Sequence, residues 1–313
     1  MGFLSLLVVA SMPVLQLLLV GSLGAFLASG RSSLLSGNVR RDLNKIVFAV
    51  FSPSLIFSSL ADTVTFQDLI SWWFMPVNIG ITFLIGGTLG WVAVNILRPD
   101  RHLEGLIMAS CAAGNLGNLM LMIIPAVCGE HGSPFGDESS CSDRGQSYVS
   151  LSMAVTLKQI TGFFVGAIPW LKSLIVGSSA PLRVIQDSLE LLGNGTLPCT
   201  TLILGGNLIK GLKKSSVKPS TILAIALVRY VALPLSGIAV VKAAGALGFL
   251  PDDSLFRYVL LTQFTLPPAM AIGVMAQLFG VGQEESSVIF LWMYLTAALA
   301  LTIWSTFFMY MIS

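Results

Sequence analysis

Apolar residues occur in nine long runs that are separated by short polar segments. The runs cover residues 4–28, 45–60, 72–97, 103–128, 147–176, 181–209, 220–247, 255–280 and 286–311. A helix of about 20 residues crosses the roughly 30 Å hydrocarbon core of a bilayer, so each run predicts a membrane-spanning helix. The run 147–176 is too long for one comfortable span, and its number of crossings requires a second argument.

Loop charge supplies that argument. The segments after the first and third runs are basic, whereas those after the second and fourth are mainly acidic. Basic loops face the cytosol, so the chain is predicted to start on the opposite side. The lysines in 210–218 fall in the cytosol only if residues 147–176 cross twice. We therefore predict ten spans, with spans five and six meeting near 155–158 and with both termini away from the cytosol.

The middle of the fourth span contains residues that disfavour a continuous helix. Glycine and asparagine are poor helix formers, and an unpaired amide costs several kcal/mol in hydrocarbon. Four such residues occur within five positions: Gly114, Asn115, Gly117 and Asn118. This span is therefore predicted to break near its centre.

The ninth span is interrupted at the corresponding depth by Pro267 and Pro268. Each proline removes a backbone donor and disfavours helix in the residue before it. Interruptions at matching places in two halves are typical of secondary transporters with an inverted repeat and a binding site near mid-membrane. The alternative is a pair of tolerated kinks, because Gly and Pro are frequent in membrane helices.

Composition supports an integral membrane protein and excludes several function classes. Of the 313 residues, 55% are apolar and 10% are charged, which lies outside the soluble range. Seventeen basic and fifteen acidic residues form no basic stripe, so no nucleic-acid partner is predicted. Neither a nucleophile elbow nor a zinc-binding histidine pair nor a phosphate loop is present, so we predict no enzyme, no cofactor and no metal site.

Several strings resemble the plant PIN-LIKES proteins of the auxin efflux carrier superfamily, and the resemblance covers nearly the whole chain. These strings are ISWWFMPVN at 70–78, AGNLGN at 113–118, SPFGD at 133–137, APLRVIQDS at 180–188, LILGGNL at 202–208 and LPPAM at 266–270. The resemblance implies an all-α membrane protein with ten transmembrane helices in a five-plus-five inverted repeat, in which broken helices four and nine cross. It also implies residence in the endoplasmic reticulum and facilitated transport of auxin, indole-3-acetic acid.

The chain differs from this family near its centre. Family members resemble it up to 152–154 and again from about Gly166, usually with a long polar loop and the rest of helix five between. We predict a first repeat at 1–155, with helix five truncated, and a second at 156–313. A cytosolic loop missing near 155–158 accounts for the difference, because residues 147–155 are too few to cross a bilayer. The alternative is a shortened form.

The breaks predict a site for an organic carboxylate. Helix N-termini present unpaired N–H groups and a partial positive charge, so two of them at mid-membrane suit an anion without a buried lysine. The predicted substrate-binding residues are Asn115, Asn118, Gly114, Gly117, Gln263, Pro267 and Pro268. Candidates for an apolar wall against the indole ring, each more ordinarily a packing residue, are Leu116, Met120, Phe264, Leu266 and Met270.

Other polar residues allow two interpretations. Near the start of span seven, Arg183, Asp187 and Glu190 recur at helical spacing. They form either an interfacial network or a proton-coupling or entrance site. Arg229 is similarly ambiguous. Cys128 and Cys141 flank the acidic loop after span four, and form either a disulfide or two free thiols.

The predicted function is transport of auxin between the cytosol and the endoplasmic reticulum by alternating access. The predicted partners are therefore a small aromatic carboxylate and the lipid bilayer, and the oligomeric state is left open. Two alternatives remain: an ion-coupled carrier of another small organic anion, and a membrane sensor that binds auxin without transporting it.

Overall fold

The computed structural model describes residues 3–30, 32, 34–63, 66–116, 118–129, 134–153, 173–174, 180–214 and 217–312. Within these ranges the regular structure is helical, apart from one isolated β-bridge. Three helical stretches in them are long and apolar enough to cross a membrane: Phe74–Leu97, Pro219–Ala246 and Gln283–Ile312. An all-α membrane protein, the coarser part of the predicted fold class, is thus confirmed.

The first half of the chain contains eight described α-helices. They are α1 (Phe3–Ala28), α2 (Gly37–Ile46), α3 (Ser52–Thr63), α4 (Phe66–Ser71), α5 (Phe74–Leu97), α6 (Arg101–Ala112), α7 (Asn118–Cys128) and α8 (Glu138–Met153). The second half contains seven more: α9 (Arg183–Asn194), α10 (Thr196–Lys214), α11 (Pro219–Leu227), α12 (Leu233–Ala246), α13 (Ser254–Gln263), α14 (Met270–Phe279) and α15 (Gln283–Ile312). The predicted breaks of the fourth and ninth spans are the α6–α7 and α13–α14 junctions.

Two spans contain a π-helical turn instead of a break. Val47–Phe51 joins α2 to α3, and Val228–Ala232 joins α11 to α12. A π turn adds one residue to a helical turn and occurs often at functional positions. The second of these turns contains Arg229, so it determines which way that side chain points.

Two helices begin earlier than predicted, and both start in polar sequence. The segment assigned to the first basic loop forms α2, whose first turn is capped by the hydroxyl of Ser36. Helix α8 starts at Glu138 instead of 147, inside the predicted acidic loop. It has 16 residues. The predicted junction near 155–158 lies outside the described residues, so the truncation of helix five stays a prediction. Hydropathy missed both starts because these turns carry few apolar residues.

Close helix packing positions α10 in the interior. A Cβ atom added at Gly205 would overlap the backbone carbonyl of Gly21 on α1. Small residues let membrane helices approach one another closely, where van der Waals contact replaces the missing hydrophobic driving force. Helix α10 is therefore held firmly against α1.

The loops after α7 and α12 meet at one end of the molecule, which we call the disulfide end. Cys128 and Cys141 are joined there, with Cα atoms 5.6 Å apart. Arg144 forms an ion pair of 2.8 Å with Asp253, so α8 and α13 start side by side. Nearby, the hydroxyl and N–H of Ser140 bond to Asp137 and lower its pKa to about 2, which keeps this cap of α8 ionised.

Candidate functional site

The two interrupted spans cross at their interruptions. Gly114 and Pro268 form an isolated antiparallel β-bridge. Two backbone hydrogen bonds of 2.9 Å flank it, from the N–H of Asn115 to the oxygen of Pro267 and from that of Ala269 to Ala113. Backbone groups released by the two breaks therefore satisfy each other, as hydrocarbon surroundings require.

A tyrosine of α15 holds this crossing in place. The Asn115 amide donates to the hydroxyl of Tyr294 at 2.8 Å, and that hydroxyl donates to the carbonyl of Pro268 at 3.0 Å. Asn115 is 5% exposed. An asparagine amide has two N–H groups, and this contact uses one of them.

Arg229 is the charged residue of the crossing. Its guanidinium donates through Nη1 to the carbonyls of Cys111 and Ala112, at 3.3 and 3.4 Å, and through Nη2 to that of Pro267 at 3.1 Å. The carbonyls of Cys111 and Ala112 are at the C-terminal end of α6, where the helix dipole places partial negative charge. The side chain is fully buried, and among the described residues it forms no ion pair with a carboxylate. A net positive charge therefore lies at the crossing.

The end of α13 is capped in a similar way from the other half of the chain. Asn78 of α5 donates to the carbonyl of Leu260 at 3.1 Å and to Oε1 of Gln263 at 2.7 Å. Helix α5 thus caps the end of α13, as Arg229 of the α11–α12 stretch caps the end of α6. The Nε2 group of Gln263 donates to Ser152 and Met75. Both of its N–H groups are used by protein, so in this arrangement it offers none to a ligand.

The other predicted site residues take different positions. Gly117 lies outside the described residues, and Asn118 begins α7. Of the predicted wall, Met120, Phe264 and Leu266 are buried in the core, and Leu116 packs against it. Met270, in the first turn of α14, lines a cavity.

On α9, Arg183 and Asp187 form the predicted i, i+4 pair, at 3.2 Å. Both side chains are about half exposed, and Glu190 is exposed as well. Exposed pairs of this kind contribute little to stability. The two interpretations of this group remain predictions.

Comparison with known proteins decides the family. A family model described as "Membrane transport protein" matches residues 9–161 and 155–305. The chain is 49% identical to Protein PIN-LIKES 7 and 46% identical to Protein PIN-LIKES 5 of Arabidopsis thaliana, with all of each chain covered. It is 40% identical to Protein PIN-LIKES 3 of the same plant, with 99% of each covered. The chain belongs to the PIN-LIKES membrane transport proteins. It is a transporter and not an enzyme.

The alignment of this PIN-LIKES chain with its relatives also bears on the central segment. It extends over 395 positions with PIN-LIKES 7, more than the 313 residues of this chain. The relative therefore has residues with no counterpart here. Their place along the chain remains the prediction made above.

A narrow cavity is lined by residues of α2, α10, α14 and α15, and we call it the inner cavity. Its volume is about 20 Å³, enough for about one water molecule. Its apolar lining includes Ile203, Met270 and Phe290, and its polar lining includes Asn44 and Ser287. In this PIN-LIKES protein the inner cavity therefore lies beside the first turn of α14, directly after the crossing.

Proposed function

We propose that this PIN-LIKES protein carries auxin, as the indole-3-acetate anion, across the membrane of the endoplasmic reticulum. The observation that carries the proposal is the crossing, where two helix breaks, Asn115 and the buried Arg229 lie together. The family resemblance supports this ligand and this membrane.

The crossing suits a carboxylate for three physical reasons. Helices α7 and α14 both begin there, and the first N–H groups of a helix have no partner within it. The charge of Arg229 stabilises an anion strongly in surroundings of low dielectric constant. The amide of Asn115 supplies a neutral donor, and we propose the same role for Asn118; such donors hydrogen-bond a carboxylate without requiring the burial of another charge.

The inner cavity supports alternating access. An indole ring system does not fit in about 20 Å³, so this arrangement does not accommodate the ring. The lining comes from two pairs of helices, α2 with α10 and α14 with α15. We propose that these two pairs separate to admit the ring between Ile203, Met270 and Phe290. Binding would then be coupled to a movement of one group of helices against the other, as in transporters built from repeats.

We also propose ten spans in a five-plus-five inverted repeat. The ion pair between Arg144 and Asp253 places the starts of α8 and α13 at one end, which requires an even number of crossings between them. Three of these crossings are α8, the α9–α10 stretch and the α11–α12 stretch. A total of ten spans adds a fourth crossing, which makes the number even. The reciprocal caps by Asn78 and Arg229 also fit two related halves.

The topology that follows has both termini in the lumen and the disulfide end there as well. We expect a tag fused after Ser313 to resist protease added to intact microsomes, because the membrane would shield it. The same tag should be digested once detergent opens the vesicles. Digestion in intact vesicles would contradict the proposed orientation.

Replacing Asn115 or Asn118 by leucine tests the substrate site. Each change removes amide donors and adds apolar bulk. A charge-assisted hydrogen bond contributes about 1.5 to 3 kcal/mol, so we expect affinity for indole-3-acetate to fall roughly ten- to a hundred-fold. Initial rates in proteoliposomes with labelled indole-3-acetate measure the effect. Asn95→Leu is a matched control, because Asn95 is exposed and its amide bonds to its own helix, at the carbonyl of Trp91.

The same assay separates the alternatives. Uptake that requires a proton or sodium gradient would indicate an ion-coupled carrier, and saturable binding without flux in sealed vesicles would indicate a sensor. If both asparagine variants carried auxin like the parent while Asp187→Asn lost binding, the site would lie on α9 and not at the crossing.

A further inference from the structure

A second cavity adjoins the inner one, and we call it the outer cavity. Its volume is about 190 Å³. Asn207 lines both cavities, so they are neighbours along α10. The other lining residues of the outer cavity are polar or glycine, and they include Arg40, Arg41, Gln277, Gln283 and Glu284. This chemistry suits a hydrated or charged group and not an apolar ring.

Three helices, α2, α14 and α15, line both cavities, and each does so with residues on one of its faces. Residues three or four apart on a helix lie on the same face. One such step leads from the outer to the inner cavity on each helix: Arg40 to Asn44 on α2, Gln277 to Val274 on α14, and Gln283 to Ser287 on α15. The two cavities therefore lie about one helical turn apart along these helices, and the inner one lies beside the crossing.

Residues that line the two cavities contain buried polar atoms without a protein partner. Arg40 is 4% exposed; its Nη1 donates to the carbonyl of Leu35 at 2.8 Å, but its Nε has no partner. Gln277 is 5% exposed, and its Oε1 has no partner. Oδ1 of the fully buried Asn44 is also unpaired. Such groups are rare in folded proteins, and each of these three belongs to a residue that lines one of the two cavities.

The balance of charge in the outer cavity favours an anion. Arg40 and Arg41 contribute two positive charges, and Glu284 contributes one negative charge. A carboxylate can accept hydrogen bonds from a guanidinium, and such charged bonds are stronger than neutral ones. A neutral indole ring would find little apolar surface here.

We propose that the outer cavity is a docking site at which Arg40 captures the substrate carboxylate before the ring enters the inner cavity. This inference rests on the proposed function, and it adds a separate step to it. Because the lining recognises the charge and not the ring, the outer cavity governs capture of the anion, while the crossing governs the choice among carboxylates.

Gln277→Glu is the sharpest test. Glutamate has almost the shape of glutamine, and its carboxylate would neutralise Arg40 across the cavity and repel an incoming anion. We expect KM for indole-3-acetate to rise about tenfold while the maximal rate changes less than about twofold, because only capture is impaired. Thermal stability should not fall, since the new carboxylate shares the cavity with a guanidinium whose Nε has no partner. Gln146→Glu is the control, because it adds the same charge at an exposed position at the disulfide end.

Arg40→Gln removes the positive charge itself, and it should produce the same rise in KM. Its control is Arg101→Gln, which removes a charge at an exposed position.

If the parent carries indole-3-acetate and KM is unchanged in both cavity variants, the outer site is wrong while the proposed function stands. If the parent shows no flux, the proposed function fails. In that case a rise in Tm with indole-3-acetate that is present in the parent and lost in Gln277→Glu supports the outer site, and an equal rise or no rise overturns it.

Discussion

Replacing Arg229 by leucine is expected to abolish transport and to destabilise the protein by about 3 to 5 kcal/mol. The carbonyls of Cys111 and Ala112 would lose their guanidinium donor, and a buried carbonyl left unpaired costs about 1 to 3 kcal/mol. The carbonyl of Pro267 would lose the same donor but keep its hydrogen bond from the N–H of Asn115. Relaxation of the surrounding structure will recover part of this lost stability. Thermal unfolding in detergent and flux in proteoliposomes measure the two effects.

Two further variants show which property of Arg229 matters. Lysine keeps the charge but lacks the planar fork that reaches both helix breaks at once. We expect Arg229→Lys to be more stable than the leucine variant and still to transport poorly. Lys242→Leu removes a charge from an exposed position of the same span and should resemble the parent. Parental stability and flux in Arg229→Leu would contradict the role given to this side chain.

Much of the fold was predictable because membrane helices need long apolar runs. The runs at 72–97 and 286–311 correspond to α5 and α15 within three residues at each end. The starts of α2 and α8 were not predictable in this way, since both lie in polar sequence. Their signals are local caps: the Ser36 hydroxyl bonds to Val39, and the Asp137 carboxylate bonds to Ser140. Hydropathy does not detect such contacts.

The breaks were predictable from residue chemistry, but their partners were not. Gly114, Pro267 and Pro268 disfavour a helix wherever they occur in a span. In contrast, Arg229 bonds to Cys111 across 118 positions of sequence, and Tyr294 bonds to Asn115 across 179. A lone arginine within an apolar run was a signal that a polar partner exists. The direction of its side chain depends on the π turn at Val228–Ala232, and no hydrophobic pattern predicted that turn.

Gly114→Ala is the second change for which we expect a large effect, although it adds a single carbon. A Cβ at this position would lie 2.6 Å from Nη2 of Arg229 and 3.4 Å from the Cβ of Leu266. The guanidinium would have to move away from the Pro267 carbonyl, which it now contacts at 3.1 Å. Overpacking of this kind costs about 1 to 3 kcal/mol, and we expect flux to fall more than about tenfold. Gly105→Ala in the same span is the control, because nothing lies within 4 Å of its added Cβ.

A double variant tests whether Gly114 acts through Arg229. If the added carbon harms the protein by displacing the guanidinium, then Gly114→Ala should have little further effect once Arg229 is leucine. The two changes would then be strongly non-additive, as expected for groups in contact. If the added carbon instead disturbs the bridge between Gly114 and Pro268 directly, the losses of stability should add. Unfolding free energies of the parent, both single variants and the double variant distinguish these outcomes, and additive losses would show that the bridge and the arginine act separately at the crossing.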